Sequence, residues 1–423
     1  MKRTREPELA DDFLRLIHLP QAVELLLGSL PDTGGEVETV SSDGALGRVL
    51  ARDVVAPEDL PGFERSTMDG YAVRAADTFG AGEGLPAYLE VVGEVLMGSL
   101  ADVRVARGQA VRISTGGVIP AGADAVVMVE NTELSGNTVE LVKGVAPGDN
   151  VLRPDEDVAR GSLLFEKGLV LGPPQIGALA GLGIDRVDVF RVPLVGVIST
   201  GDEIVPPDQV PGPGQVRDIN SAALVAAVRQ TGCEARAYGI IGDDFDRMLA
   251  ISAQALSECD VVIVSGGSSA GVRDMTANVL AAMGEPGVLA HGIYLKPGKP
   301  TLIAVCDGKP ALGFPGNPAS ALAVFRELMV PLLRKLKGEA PGPGTGIPRK
   351  VEALMDRSVS SAAGRLELVP VSLDLDGDEL IASPVLGKSN LIGTLARARG
   401  QVRVPIGVEG LEQGQSVVVE LLE

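Results

Sequence analysis

The run VPLVGVIST, residues 192–200, is apolar almost throughout, and the polar GDE of residues 201–203 follows it at once. A short continuous apolar run bounded by proline and glycine predicts a strand buried on both faces. Downstream, strands and helices alternate. NSAALVAAVRQTG predicts a helix with Asn220 as N-cap and Gly232 as its stop. EARAYGIIG is a second strand, DRMLAISAQALSE a helix, DVVIVSGG a third strand and DMTANVLAAMG a helix. The strands TLIAVC and PALGF follow, then a long helix from near Asn317 to Lys337. Such alternation predicts a mostly parallel sheet covered by helices on both faces.

The flanking segments have a different texture. Residues 11–27 read as a helix and 36–40 as a short strand. Over 54–152, short β-rich runs such as YLEVVGEVL, AVRIST and AVVMVENTEL alternate with Gly/Pro/Asp turns, which predicts a compact β module. Residues 159–191 add a strand, a helix near 173–181 and an Arg-Val-Pro exit. GEAPGPGTGIPRK is a hinge by composition. VEALMDRSV, RLELVPVSL, ELIASPVL and SVVVELLE after it read as a small all-β domain.

A chain of 423 residues has room for two to four domains at ~100–200 residues each. With a net charge of −19 it lacks the basic footprint of a general nucleic-acid binder. Cys233, Cys259 and Cys306 are scattered, without a CxxC pattern, and read as small buried hydrophobes in a reducing compartment. The charged N-terminus shows no secretory h-region, and no apolar run approaches the ~20 residues of a membrane span. These features point to a soluble, cytoplasmic protein. With two histidines and no tryptophan, its chemistry must rest on carboxylates, lysines, hydroxyls and backbone groups.

Ligands of open α/β sheets sit beyond the carboxyl ends of the strands. Four polar clusters fall at such ends: STGDE (199–203), GDD (242–244), SGGSSAGVRD (265–274) and FPGNPAS (314–320). SGGSSAG is placed to cradle a phosphate on backbone N–H groups, although a tight turn alone would explain it. In PGNPAS, Asn317 and Pro318 are ordinary helix-start residues. Asp243, Asp244 and Asp274 each read, singly, as helix caps. Glu203 does not, because VPP after it begins no helix. Several acids beside a phosphate loop suit Mg²⁺, which takes one or two carboxylates plus substrate oxygens.

LKPGKP (295–300) is unusual in so acidic a chain. Each proline pushes the lysine before it toward an extended conformation, and Gly298 lets the chain bend between Lys296 and Lys299. The pair reads as an anion clamp rather than a solvated loop, since pre-ordering is useful when a ligand is to be held. His291 reads as structural. In the first half, ERSTMDGYAVRAAD and RISTGG place polar knots around Ser66, Thr67, Asp69 and residues 114–117.

In their order, PGFERSTMDGYAVR, RISTGGVIPAGADAVVMVENT, DEDV, GVISTGDEIV, INSAALVAAVRQTGCEARAYGIIGDD, VVIVSGGSSAGVRD, LKPGKPTLIA and GFPGNPASALAVF resemble the molybdopterin molybdenumtransferase (MoeA) family, related to the E domain of gephyrin. The resemblance implies a multidomain α/β plus β protein. Its expected parts are a discontinuous N-terminal linker domain (1–54 and 153–190), an inserted β-rich domain (55–152), a molybdopterin-binding α/β domain (191–340) and a C-terminal β-barrel-like domain (341–423). It also implies a homodimer with its active site at the subunit interface, and insertion of molybdenum from molybdate into adenylylated molybdopterin, with release of AMP and dependence on Mg²⁺. A molybdopterin adenylyltransferase, molybdoenzyme apoproteins or chaperones are the implied transient partners, with no nucleic acid and no membrane.

Carried onto this sequence, the family's site implies Asp274, Lys296, Lys299, Glu203 and Asp243 as catalytic residues, with Asp274 and Asp243 on the metal. Substrate would be bound by Asp69, Thr115, Asp157, Thr200, Gly201, Asn220, Ser265, Gly266, Gly267, Ser268, Pro315, Gly316, Asn317, Pro318, Ser320 and Ser389. Two departures stand out. Asp155 occupies a position where the family has glycine, which bears on a local turn, and SGGVSVG reads SGGSSAG here. The alternatives are the related adenylyltransferase, which usually lacks the flanking domains, and a gephyrin-like scaffold; tungstate in place of molybdate is equally compatible with the sequence.

Overall fold

In the computed structural model, the residues described are 16–30, 35–266, 270–340, 349–385, 387 and 392–422, with the side chains of 270–274 and 394 excepted. The apolar run that opens the alternation forms the strand Leu194–Thr200, inside a six-stranded sheet. Its strand order is Glu234–Ile241, Leu194–Thr200, Val261–Gly266, Lys309–Phe314, Leu302–Cys306 and Pro286–His291. The first four strands are parallel; Leu302–Cys306 runs antiparallel to both of its neighbours, so Pro286–His291 points the same way as the first four and the sheet is mostly parallel, as the alternation predicts. Val195, Val197 and Ile263 face one core with helices Leu19–Gly28, Asn220–Gln230 and Pro318–Val324. Ile198, Val262 and Val264 face the other with helices Phe245–Glu258 and Ala270–Ala282. Burial on both faces is why these strands read as continuous apolar runs.

The N-terminal helix is shorter than its apolar pattern suggests. Among the described residues it spans Leu19–Gly28, with Pro20 in its first turn; residues 16–18 are not helical, and the expected start at 11–15 lies outside the described residues. Proline lacks the N–H that a helix interior needs, so it favours the start of a helix. Just before it, Ile17 donates its N–H to the Gly292 carbonyl (3.2 Å) and accepts from Tyr294 N (2.9 Å), while His18 stacks on the Tyr294 ring at 4.7 Å. The long helix toward Lys337 is one run made of Pro318–Val324, a π-helical turn Phe325–Met329 and Val330–Leu336.

A second six-stranded sheet lies between residues 70 and 141, with one core on each face. Short ladders pair Val37–Ser41 with Arg186–Phe190 and Val54–Val55 with Leu163–Phe165. Asp155 takes φ +62°, the left-handed conformation that glycine adopts freely and that Asp tolerates better than most residues. The turn is therefore kept. At the C-terminal end, strands Leu366–Asp376, Glu379–Pro384, Lys350–Met355, Ser416–Leu421 and Gly400–Val404 close into a five-stranded barrel, because the last pairs back with the first.

A sixth, two-residue strand, Leu295–Lys296, joins that barrel's sheet from the α/β domain, pairing parallel with Leu366 and Glu367. The LKPGKP loop is thus held by the N-terminal segment on one side and the barrel on another. A buried polar network ties the π-helical turn to the barrel as well. Arg403 Nη2 donates to both Glu327 carboxylate oxygens at 2.8 Å, Arg403 Nε donates to Glu420, and Arg326 donates to Gln401 Oε1 at 2.9 Å. The hinge expected over 338–350 falls largely on residues 341–348, outside the described residues.

Candidate active site

Strand register decides which loops meet. Thr200 pairs with Ile241 on one side and Gly266 on the other, and Ser265 pairs with Phe314. Leu302 pairs antiparallel with Gly313, which brings the loop preceding Leu302 to the same edge of the sheet. The GDD, STGDE, SGG, FPGNPAS and LKPGKP segments therefore stand in that order along one edge. From the Ile241 strand to the Leu302 strand is four interstrand steps of ~4.8 Å, or roughly 19 Å. The acids and the lysines lie toward opposite ends of this row rather than face to face.

At the acidic end, the chain turns sharply after Thr200. Gly201 has φ +142°, and a Cβ there would lie 2.5 Å from Glu203 Oε2, so glycine lets the Glu203 carboxylate fold back over the strand end. Asp202 Oδ1 accepts the Asp243 N–H at 3.0 Å, joining neighbouring loops. Asp244, not Asp243, is the helix cap: its carboxylate accepts Arg247 N at 2.9 Å. Asp243 Oδ1 is buried and lacks a hydrogen-bond partner among the described residues. Burial, then the nearby Asp202 and Glu203 carboxylates, push the Asp243 carboxyl above its usual value.

At the centre, Asn220 is the first helical residue rather than the N-cap, and its side chain makes no capping bond. Instead Asn220 Nδ2 donates to Ser265 Oγ and to the Gly316 carbonyl, each at 2.9 Å. Asp218 anchors the helix start, accepting Ser221 N at 3.0 Å and the Ser199 hydroxyl at 2.9 Å. Asn220 Oδ1 and Thr200 Oγ1 are both buried without a partner among the described residues. Buried polar atoms are nearly always paired, so three orphans along one sheet edge leave unused hydrogen-bonding capacity at the strand ends.

Pro318 and Ser320 are buried in the helix after Asn317, which stands at the N-cap with Pro315 and Gly316 before it. Asp274 is the fifth residue of Ala270–Ala282, so it is not that helix's cap; its side chain, with Gly267, Ser268 and Ser389, lies outside the described residues. At the basic end, Lys296 Nζ lies 2.5 Å from Glu367 Oε1 of the barrel. Among the described residues Lys299 makes no ion pair; its carbonyl accepts Ile293 N at 3.0 Å. Arg365, two residues before Glu367, has a buried Nε without a partner among the described residues.

Asp69, Thr115 and Asp157 do not join this row through any hydrogen bond among the described residues. Asp69 Oδ1 accepts Thr115 N at 2.7 Å, and Asp157 N donates to Leu60 O at 3.1 Å. His291 and the three cysteines are buried, with Cys306 pushed up to about 11 by burial and then by Asp307. Sequence reasoning missed Asp202, Asp218, Arg365 and Glu367. The first lay inside the TGDE signal; Glu367 carried none, because only a contact between domains brings it to Lys296.

Family models match across the chain: "MoeA N-terminal region (domain I and II)" over residues 17–183, "Probable molybdopterin binding domain" over 196–335 and "MoeA C-terminal region (domain IV)" over 352–422. The molybdopterin molybdenumtransferase of Nostoc sp. is 35% identical over 394 residues, covering 92% of this chain and 89% of that protein. The chain belongs to the MoeA family. The Bacillus subtilis molybdopterin molybdenumtransferase is 32% identical over 92% of this chain and 90% of its own length. Among solved structures, the molybdopterin biosynthesis MoeA protein from Pyrococcus horikoshii superposes with a TM-score of 0.81 at 31% identity, covering 96% of this chain and all of that one. Membership in the MoeA family accounts for the α/β domain, the β-rich regions and the closed barrel together. No helix among the described residues is long and apolar enough to cross a membrane.

Proposed function

We propose that this chain is a molybdopterin molybdenumtransferase of the cytoplasm, inserting molybdenum from molybdate into adenylylated molybdopterin and releasing AMP. The observation that carries the reading is the loop row itself: a roughly 19 Å edge with three buried, unpaired polar atoms, acids toward one end and lysines toward the other. An elongated substrate with a pterin at one end and a nucleotide at the other suits such an edge. The relatives named above are called molybdopterin molybdenumtransferases, which supports the transfer of molybdenum to molybdopterin.

In this reading Asn220, Thr200, Ser265 and Gly266, with Gly267 and Ser268, bind the pterin or phosphate groups. Pro315, Gly316, Asn317, Pro318 and Ser320 wall the pocket, with Ser389 as a further contact. Lys296 and Lys299 hold oxyanions. A divalent cation, Mg²⁺, suits the acidic end, where Asp243 Oδ1 is buried without a partner among the described residues. Asp243 and Asp274 would hold it while substrate oxygens complete the shell, and it would neutralise charge on the phosphates. Glu203 and Asp243 orient water for phosphoanhydride cleavage, and the lysines neutralise the anions.

Asp69, Thr115 and Asp157 bond within the N-terminal half, so a second copy of the chain supplies them in this reading, and the enzyme is a homodimer with a shared site. A molybdopterin adenylyltransferase would deliver the substrate, and apoproteins or chaperones would collect the product. Purified protein incubated with adenylylated molybdopterin, Mg²⁺ and molybdate should release AMP in a molybdate-stimulated manner. Absence of that stimulation would overturn the reading.

A further inference from the structure

Lys296 meets a carboxylate before it meets any ligand. Its Nζ lies 2.5 Å from Glu367 Oε1, and the other oxygen of that carboxylate accepts the Ser361 hydroxyl at 2.6 Å. The Lys296 side chain is 41% exposed while that of Glu367 is 10% exposed, so the ammonium faces outward and the carboxylate sits beneath it. The parallel pairing of Lys296 with Glu367 and the bond from Leu366 N to Tyr294 O (3.1 Å) fix the two residues side by side across the domain boundary. The neighbouring Lys299 has no such counter-ion among the described residues. The two lysines of the clamp are therefore electrostatically unequal.

We propose that Glu367 is an internal anion that competes with incoming oxyanions for Lys296, so that the C-terminal barrel sets the oxyanion affinity of the α/β domain; this rests on the reading of the lysines as an oxyanion clamp. An oxyanion on Lys296 must either displace the carboxylate or sit beside it. Displacement leaves a mostly buried carboxylate without its cation, and coexistence brings like charges within a few ångströms in a partly desolvated site. Both outcomes weaken binding. A residue that merely supported the loop would have the opposite signature, since its loss would weaken binding.

The test is calorimetric titration of the full-length protein with molybdate alone, and with sulfate as a second tetrahedral dianion. Glu367→Gln keeps an acceptor for Ser361 and removes the charge. It should tighten molybdate binding about tenfold, equivalent to ~1.4 kcal/mol. In a Lys296→Gln background the same change should have no effect, because the competed cation is gone. Glu367→Asp, which shortens the side chain and draws the carboxylate back from Lys296, should tighten binding in the same direction by a smaller factor; it serves if Glu367→Gln fails to fold. Unchanged or weaker binding in these variants, or tightening that persists without Lys296, overturns the inference and leaves the clamp intact. A wild-type protein that binds neither dianion overturns the clamp and this inference together.

Discussion

Asn220 and Ser265 are joined across 45 residues of sequence by a 2.9 Å hydrogen bond, and the same Asn220 amide nitrogen donates to Gly316. One side chain thus fixes three strand-end loops relative to one another. Asn220→Ala removes both bonds and leaves the Gly316 carbonyl without this donor. A loss of ~1–3 kcal/mol in denaturant unfolding is expected, with lowered AMP release. Unchanged stability would show that the loops are held by other means.

Asp243 carries a carboxyl raised above its usual value by burial and by Asp202 and Glu203. A carboxyl whose folded value is raised favours the fold fully below its unfolded value, about 3.9, and that contribution is lost as pH rises through the folded value. At neutral pH the ionised group therefore opposes folding. Asp243→Asn should raise Tm at pH 7.5, with the gain shrinking toward pH 4, while AMP release falls about a hundredfold. A lowered Tm at pH 7.5 would contradict this account.

Gly266 has φ +152°, and a Cβ there would stand 2.2 Å from both the carbonyl and the hydroxyl oxygen of Thr200. The carbonyl belongs to the paired strand and cannot withdraw. Gly266→Ala should displace the Thr200 and Gly266 strand ends and cost more than ~2 kcal/mol, read by thermal melting. Thr200→Val in the same protein should not rescue it, since the carbonyl clash remains.

Glu327 and Arg403 lock the α/β domain to the barrel in a mostly buried ion pair. Arg403→Met leaves the Glu327 charge uncompensated and Glu420 with Lys350 Nζ at 3.7 Å, and should cost about 3–5 kcal/mol. Combining it with Glu327→Leu should recover much of that loss, measured as a double-mutant cycle. Additive losses would show that the pair is not coupled.

The α/β alternation, the paired prolines of LKPGKP and the turn grammar were legible in the chain because each is local. Burial on both faces writes itself as runs such as VVIVSG, and Pro173 with Pro174 marks the start of Pro173–Gly181. Helix starts were legible less well. The apolar pattern carried the first helix back to residue 11, whereas Pro20 places its start at Leu19; Asn220 looks like a cap but serves as a cross-strand donor.

By itself the sequence determined a mostly parallel α/β domain flanked by β-rich regions, and loops rich in acids, hydroxyls and lysines at its strand ends. Only the tertiary structure decided the order of those loops along the edge, which sets acids and lysines toward opposite ends. It alone supplied Glu367, beside Lys296 through a pairing that spans 71 residues. Periodicity records which face of a segment is buried, a property of neighbouring residues. Register and domain contact depend on groups far apart in the chain, and their energies appear only once the chain has closed on itself.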